Sequence, residues 1–302
     1  MLTSRLIGPL LGCMVINLNM TTCRSPGEDE PGPPSAAPAP VDVKLSGIDT
    51  GDLTAREKAQ WSAHVTQLLA PCESTPVSIA QCVEEKRNCA ACTPAAEYLL
   101  VQVRQGRTKA QAEAAYRARF ASDQVRNIPL EGSPSKGPTD ASIVIVEWAD
   151  FECPACKAAS PQLDELVQAH QDVRLVFKNF PLDIHQNAET AARAAMAADK
   201  QGKFWEMHHA LFQAEEPPTA EFIARTAKSL GLDMAAFEKD LRSEAVADAV
   251  SRDRKQGRDV QLKGTPSVFI NGREFSYSMD MATELKAWIA LERKLLARPG
   301  TP

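Results

Sequence analysis

The sequence predicts an α/β fold built on one sheet, preceded by a small helical segment rich in cysteine. Three stretches predict it. Ser142 to Ala149 is a near-continuous apolar run rich in β-branched residues, the pattern of a strand covered on both faces. It leads through Phe151-Glu152 into Cys153-Pro154-Ala155-Cys156 at the start of a helix. Gly264-Thr265-Pro266-Ser267-Val268-Phe269-Ile270-Asn271-Gly272 reads as a short strand. Its proline lies near the start, where a missing N–H is tolerated, and an Asn-Gly turn closes it. Residues 52–122 carry repeated capping signals ahead of apolar residues at helical spacing.

In chain order, residues 1–23 read as a signal or lipoprotein leader. Arg5 supplies the positive charge and Leu6 to Met20 is mostly apolar, while Pro9, Asn17 and Asn19 interrupt it as a membrane span. Cys23, with a slight preference over Cys13, is the expected lipidation site, giving an exported, periplasmic chain held by an anchor rather than a span. Residues 24–51 form a Pro/Ala-rich tether with too few large apolar residues to build a core.

Within 52–122, Thr54 with Glu57, Ser78 with Gln81 and Thr108 with Gln111 cap three helices. Trp61, Val65, Leu68 and Leu69 mark one apolar face, Ala96, Leu99, Leu100 and Val103 another that Gly106 closes, and Tyr116 and Phe120 a third. Cys72, Cys82, Cys89 and Cys92 fall in this segment and allow three pairings. They read as two structural disulfides stapling the helices, or Cys89-Ala90-Ala91-Cys92 acts as a second redox pair passing electrons to Cys153 and Cys156. Thr93 stands where a haem-attachment motif needs histidine.

Residues 123–302 form the α/β domain. Ile128 to Gly132 is read as a first edge strand, Pro154 to about His170 as a helix and Val173 to Phe177 as a buried strand. Residues 187–257 are read as a helical insertion, Val260 to Phe275 as the return to the sheet, and Thr283 to Leu296 as a last helix.

The chemistry centres on Cys153 and Cys156. Proline suits a first helical position, which makes Cys153 the N-cap, with its sulfur over unpaired N–H groups and the positive end of the helix dipole. Such a site favours the reactive thiolate. Cys156 lies one turn on, close enough to close a disulfide with Cys153 and reopen it. A four-cysteine zinc site would need a second pair in the same domain, and none is there, so no metal and no cofactor is expected. Met207-His208-His209 is read as part of a mixed-polarity helix. The 302 residues, 44% of them hydrophobic, suffice for one good core and a smaller domain. A net charge of −5 speaks against a nucleic-acid partner, and eight cysteines suit an oxidising compartment.

Phe-Glu-Cys-Pro-Ala-Cys after an apolar strand, followed later by Gly-Thr-Pro-Ser-Val-Phe-Ile-Asn-Gly, resembles the DsbA-like thiol:disulfide oxidoreductases of the thioredoxin superfamily. The match runs from about Ile128 to Leu296. The Ala191–Ala198 run and Gly202-Lys203-Phe204-Trp205-Glu206-Met207-His208 resemble that family's helical insertion. The turn at Gly106-Arg107-Thr108 and the Tyr116–Phe120 end are faintly similar to the small helical domain of cytochrome c maturation thiol proteins, without carrying function over. The resemblance implies a thioredoxin-like fold, and a cis Pro266 packed beside the active-site disulfide. It implies a buried acid at Glu147 that carries protons for a buried thiol, and a Thr265 backbone that pairs with extended substrate chains beside Pro154 and Ala155. It also implies protein substrates, unfolded or partly folded, and a membrane redox partner that resets the pair. Ala155 stands where strongly oxidising relatives carry histidine, and Thr265 resembles the isomerase and reductase branches, so the direction of electron flow stays open. Two other classes remain: a chaperone-like binding module with a structural disulfide, and a copper or haem-maturation thiol factor.

Overall fold

The structure, a computed structural model, describes residues 42–276 and 280–296. Cys13 and Cys23, the expected lipidation sites, lie outside the described residues, as does the whole leader. No helix among the described residues is long and apolar enough to cross a membrane.

The helical segment comprises α1 (Ala55–Gln67), α2 (Ile79–Glu84), α3 (Cys92–Arg104) and α4 (Lys109–Phe120). Its caps are the expected ones: Thr54 and Thr108 form reciprocal capping boxes with Glu57 and Gln111, and the Ser78 hydroxyl accepts from the Gln81 N–H. Trp61, Val65, Leu99 and Leu100 fill the space between the helices, and the Trp61 indole donates to the Ala96 carbonyl at 3.0 Å. Cys72 is bonded to Cys89 and Cys82 to Cys92. Leu69, expected on the α1 face, is 62% exposed. The helix ends at Gln67, and Leu69 turns into an extended bridge with Ser78 that points its side chain outward. The tether also ends sooner than residue 51: the Val43 N–H donates to the Ser62 hydroxyl and Leu45 is buried in the helical core, because both apolar residues fit against α1.

The sheet follows: β1 (Ser135–Lys136), β2 (Ile143–Ala149), α5 (Pro154–Ala169) and β3 (Val173–Asn179). Then come α6 (Ala188–Asp199), α7 (Phe204–Gln213), α8 (Ala220–Ser229), α9 (Met234–Leu241) and α10 (Glu244–Asp259). β4 (Ser267–Ile270), β5 (Arg273–Phe275) and α11 (Met281–Leu296) complete it. Strand order is β1-β3-β2-β4-β5, with β2 and β3 parallel and the other pairs antiparallel. The central strand is covered on both faces, which is why it reads as an unbroken apolar run. Ile143, Ile145, Leu175, Val268 and Ile270 face α5 and α11. Val146, Trp148, Val176 and Phe269 face Ile128, Leu130 and the α10–β4 connection. The insertion, α6 to α10, packs closely because α6 offers mostly alanine.

The expected edge strand at Ile128–Gly132 is instead irregular chain lying on the Trp148 face, where Pro129 has no N–H to offer a ladder. The true edge strand is Ser135–Lys136, antiparallel to β3. A Cβ on Gly137, at φ +93°, would collide with the Val173 carbonyl, so only glycine lets the chain leave β1 that close to β3. At the far end of the sheet, Asn271 (φ 47°) and Gly272 (φ 76°) form the tight β4–β5 turn that Asn-Gly predicts.

That turn is where the helical segment joins the sheet. The Arg126 N–H donates to the Gly272 carbonyl at 2.7 Å, and Arg273 donates to the Ala121 carbonyl at 2.6 Å. Buried Arg119 pairs with buried Glu292 of α11 at 2.7 Å, with its guanidinium 4.6 Å above the Trp288 ring.

Candidate active site at the start of the fifth helix

β2 delivers the chain to a tight turn, Asp150-Phe151-Glu152, that sets the two cysteines. The buried Asp150 carboxylate accepts from the Glu152 N–H at 2.7 Å and from the Leu182 N–H at 2.8 Å, and meets His185 Nδ1 at 2.8 Å. The Asp150 carbonyl accepts from the Cys153 N–H at 3.1 Å. The Glu152 carboxylate accepts from the Asn187 N–H at 2.6 Å and its side-chain amide at 3.0 Å. The loop after β3 is thereby tied to the turn that carries the cysteines. Asp150 shapes the turn locally and also holds a segment 32 residues away.

Cys153 is the N-cap of α5, with extended backbone (φ −78°, ψ 119°) and Pro154 as the first helical residue. Cys153 and Cys156 are free thiols here. They are unequal: Cys153 keeps 8% of its surface accessible and Cys156 none. The Cys153 thiol donates to the Thr265 carbonyl at 3.4 Å. Burial pushes the Cys156 thiol far above the ordinary cysteine range, with the Asp150 backbone and the Thr265 side chain pulling it back and Glu147 and Cys153 pushing with the burial. Pro154 and Ala155 are exposed beside the pair, and Thr265 and Pro266, joined by a cis peptide, are half-buried against it.

Glu147 lies on β2 between Phe177 and Val268, on the sheet face that α5 covers, and is 1% exposed. Burial pushes its carboxyl up to about 8, with the Lys136 charge opposing. Below this, Phe151 stacks on Phe177 at 5.4 Å and meets Phe212 at 4.8 Å, closing the site toward the insertion.

The structure thus gathers Cys153, Cys156, Thr265, Pro266 and Glu147 around the N-terminus of α5. It keeps Cys72, Cys82, Cys89 and Cys92 elsewhere: Cys72 lines a cavity with Asn271, Arg273 and Glu292, at the opposite end of the sheet. Three further residues lie near the site. Lys136 sits on a strand too short to carry a pattern. His185 is paired with Asp150. Ile184 is 84% exposed in the loop that Asp150 anchors, and its one signal is an apolar residue in a polar stretch.

A sheet of this order, with a helix-capping Cys-x-x-Cys after the central strand and a cis-proline beside it, defines a thioredoxin-fold domain carrying a helical insertion. Residues 144–287 match the family described as the DSBA-like thioredoxin domain. Among curated proteins, the chain is similar to Na(+)/H(+) antiporter NhaA 3 of Salinispora tropica, 39% identical over 139 residues, 46% of this chain and 21% of the relative. It is also similar to Na(+)/H(+) antiporter NhaA 1 of Mycolicibacterium vanbaalenii, 39% identical over 157 residues, 50% of this chain and 25% of the relative. The chain therefore spans a quarter or less of those relatives, whose names describe the longer proteins. Among solved structures, a thioredoxin-like oxidoreductase from Silicibacter pomeroyi superposes with a TM-score of 0.51 at 27% identity, covering 54% of this chain and 94% of that one.

Proposed function

We propose that this chain is an exported thiol:disulfide oxidoreductase that exchanges disulfides with unfolded or partly folded protein substrates through Cys153 and Cys156. The observation that carries the reading is the inequality of the two thiols. Cys153 stands at the N-cap position with 8% of its surface still accessible and its thiol turned to the Thr265 carbonyl, and Cys156 is sealed one turn behind it.

In one direction the Cys153 thiolate attacks a substrate disulfide, forms a mixed disulfide and releases one substrate thiol. Cys156 then attacks the Cys153 sulfur and releases the second, leaving Cys153–Cys156 oxidised and the substrate reduced. In the other direction a substrate thiolate attacks the Cys153 sulfur and Cys156 leaves. A second substrate thiol resolves the mixed disulfide, so the substrate gains the disulfide. Because Cys156 is buried, it departs readily only if a proton meets it, and Glu147, protonated up to about pH 8, is placed to supply one. The exposed faces of Pro154, Ala155 and Ile184 and the half-buried Thr265–Pro266 strip offer an extended chain apolar contact with little sequence demand. A membrane redox partner resets the pair. The leader and the disulfides of the helical segment support export to the periplasm, with a lipid on Cys23 or Cys13 as anchor.

The test is equilibration of the full chain with glutathione buffers, followed by mass mapping of every cysteine. A potential of about −120 to −180 mV assigns an oxidase or isomerase, and one near about −270 mV a reductase. A Cys153–Cys156 bond that resists reduction until the protein unfolds would make the pair structural and favour the binding-module alternative.

A further inference from the structure

A buried acid that gives up a proton in every cycle must regain it, and Glu147, 1% exposed, needs a path to water. Its neighbours supply one. Lys136 on β1 is paired with Leu175, which is paired with Ile145, so Lys136 and Glu147 share one face of the sheet. Each feels the other's charge. The Lys136 ammonium lies 4.1 Å above the Trp205 ring and forms an ion pair with Asp164 of α5. The other Asp164 oxygen is 2.6 Å from His209 Nε2 on α7. Exposure rises along this line: Glu147 is 1% accessible, the Asp164 and Lys136 side chains 15% and 21%, and the His209 side chain 42%.

We propose that Lys136, Asp164 and His209 form the route by which protons pass between Glu147 and solvent during disulfide exchange. This rests on the reading of Cys153–Cys156 as an exchanging pair. When Cys156 leaves as a thiolate, the Glu147 carboxyl gives it a proton and becomes a carboxylate. The Lys136 ammonium returns a proton to Glu147, and the His209 imidazolium recharges Lys136 across the Asp164 carboxylate. Water or buffer reprotonates His209. In the opposite direction the same proton runs outward, and no electrons move along the route. The groups facing it are Lys136 from β1, Glu147 from β2, Asp164 with the two cysteines from α5, and Glu206, His208 and His209 from α7. Burial brings Lys136 down to about 8, with Glu147 opposing, and raises Glu147 to about 8, so a proton passes between them with little change in free energy. His209 is lowered by burial and by Lys136, with Glu206 opposing. His208 is no part of the route. It is enclosed by Phe151, Phe177, Phe204, Trp205 and Phe212, and burial holds it neutral.

The experiment is single-turnover reduction of the oxidised full chain by dithiothreitol, in weak buffer from pH 6 to 8.5. It uses the wild type, His209→Ala and Asp164→Asn, each with and without Glu147→Gln. His209 is partly exposed, so its replacement leaves the fold intact, and circular dichroism checks this. His209→Ala and Asp164→Asn are expected to slow the step about tenfold near neutral pH. Added imidazole restores the rate of His209→Ala in proportion to its concentration, and neither substitution slows the Glu147→Gln protein further. Unchanged rates, a slowing that persists in the Glu147→Gln background, or no rescue by imidazole would overturn the route while leaving the exchange reading standing. Failure of the wild type itself to be reduced while folded would overturn the exchange reading, and the route with it.

Discussion

Replacing Glu147 with glutamine should stabilise the folded protein, and the gain should depend on pH. In the open chain this carboxyl ionises near its ordinary 4.5, whereas in the fold burial holds it protonated up to about 8. Below about pH 4.5 both states carry the proton and the group costs nothing. Between the two values the folded state binds more protons than the unfolded state, so stability falls as pH rises. Above about 8 the full penalty is present, about 5 kcal/mol at 1.36 kcal/mol per pKa unit. Glutamine fills the same space without a charge. Lys136 would lose its one acidic neighbour on the sheet, which offsets part of the gain, so about 2–5 kcal/mol is expected at pH 8 and close to none at pH 4.5. Lys136 acts in the opposite sense at higher pH. Its lowered value means the unfolded state binds more protons between about 8 and 10.5, so stability recovers there. The assay is urea unfolding of the reduced protein by tryptophan fluorescence at pH 5, 6.5 and 8, comparing midpoints at constant slope. A stability difference between variant and wild type that stays flat across this range would refute both the burial of an uncompensated carboxyl and its use as a proton store.

Two further outcomes follow from the geometry. Cys153→Ser should abolish exchange, whereas Cys156→Ser should accumulate a mixed disulfide between Cys153 and substrate, visible as a reducible high-mass band after alkylation. Glu292→Gln leaves the buried Arg119 guanidinium without its counter-charge and should cost about 3–5 kcal/mol, while the double change Arg119→Met with Glu292→Leu should cost much less; thermal unfolding of the wild type and these two variants checks it.

Much of this architecture was legible because the local signals are strong ones. Three capping residues, the β2 run, the Pro154 helix start and the Asn271-Gly272 turn each name their conformation through a hydrogen bond or a permitted φ, independent of what packs against them. The misreadings fall where tertiary contact decides. Ile128 and Leu130 have strand composition, yet their apolar side chains are used to cover Trp148 while their backbone stays out of the ladder. Ser135–Lys136 has no pattern at all and becomes a strand because Gly137 lets the chain run close to β3. In the site, the two cysteines and Thr265-Pro266 could be read from residue type and position. Lys136, Asp164 and His209 lie on three elements, and no spacing in the sequence relates them.

The distance between the two cysteine groups decides how the helical segment can take part in the chemistry. Thiol–disulfide exchange requires sulfur to reach sulfur. Cys153 follows the C-terminal end of β2, whereas Cys72 shares a cavity with Asn271, whose N–H donates to the Val144 carbonyl near the other end. At about 3.3 Å per residue, the strand between Val144 and Ala149 alone separates them by roughly 15–20 Å. Cys89 and Cys92 are, besides, bonded to Cys72 and Cys82 rather than to each other. Electrons cannot pass directly from this segment to Cys153 within one chain while Arg119–Glu292 and Arg273–Ala121 hold the two together. Stepwise reduction with alkylation and mass mapping should therefore open Cys153–Cys156 first, with Cys72–Cys89 and Cys82–Cys92 still closed and circular dichroism unchanged. Cys72→Ser with Cys89→Ser should cost about 3 kcal/mol of stability, the entropy of a loop of this length, and leave the exchange rate of Cys153 unaltered. If Cys89 and Cys92 open together with Cys153, or if the double variant stays stable but exchanges more slowly, then the helical segment carries electrons and must detach from the sheet to do so.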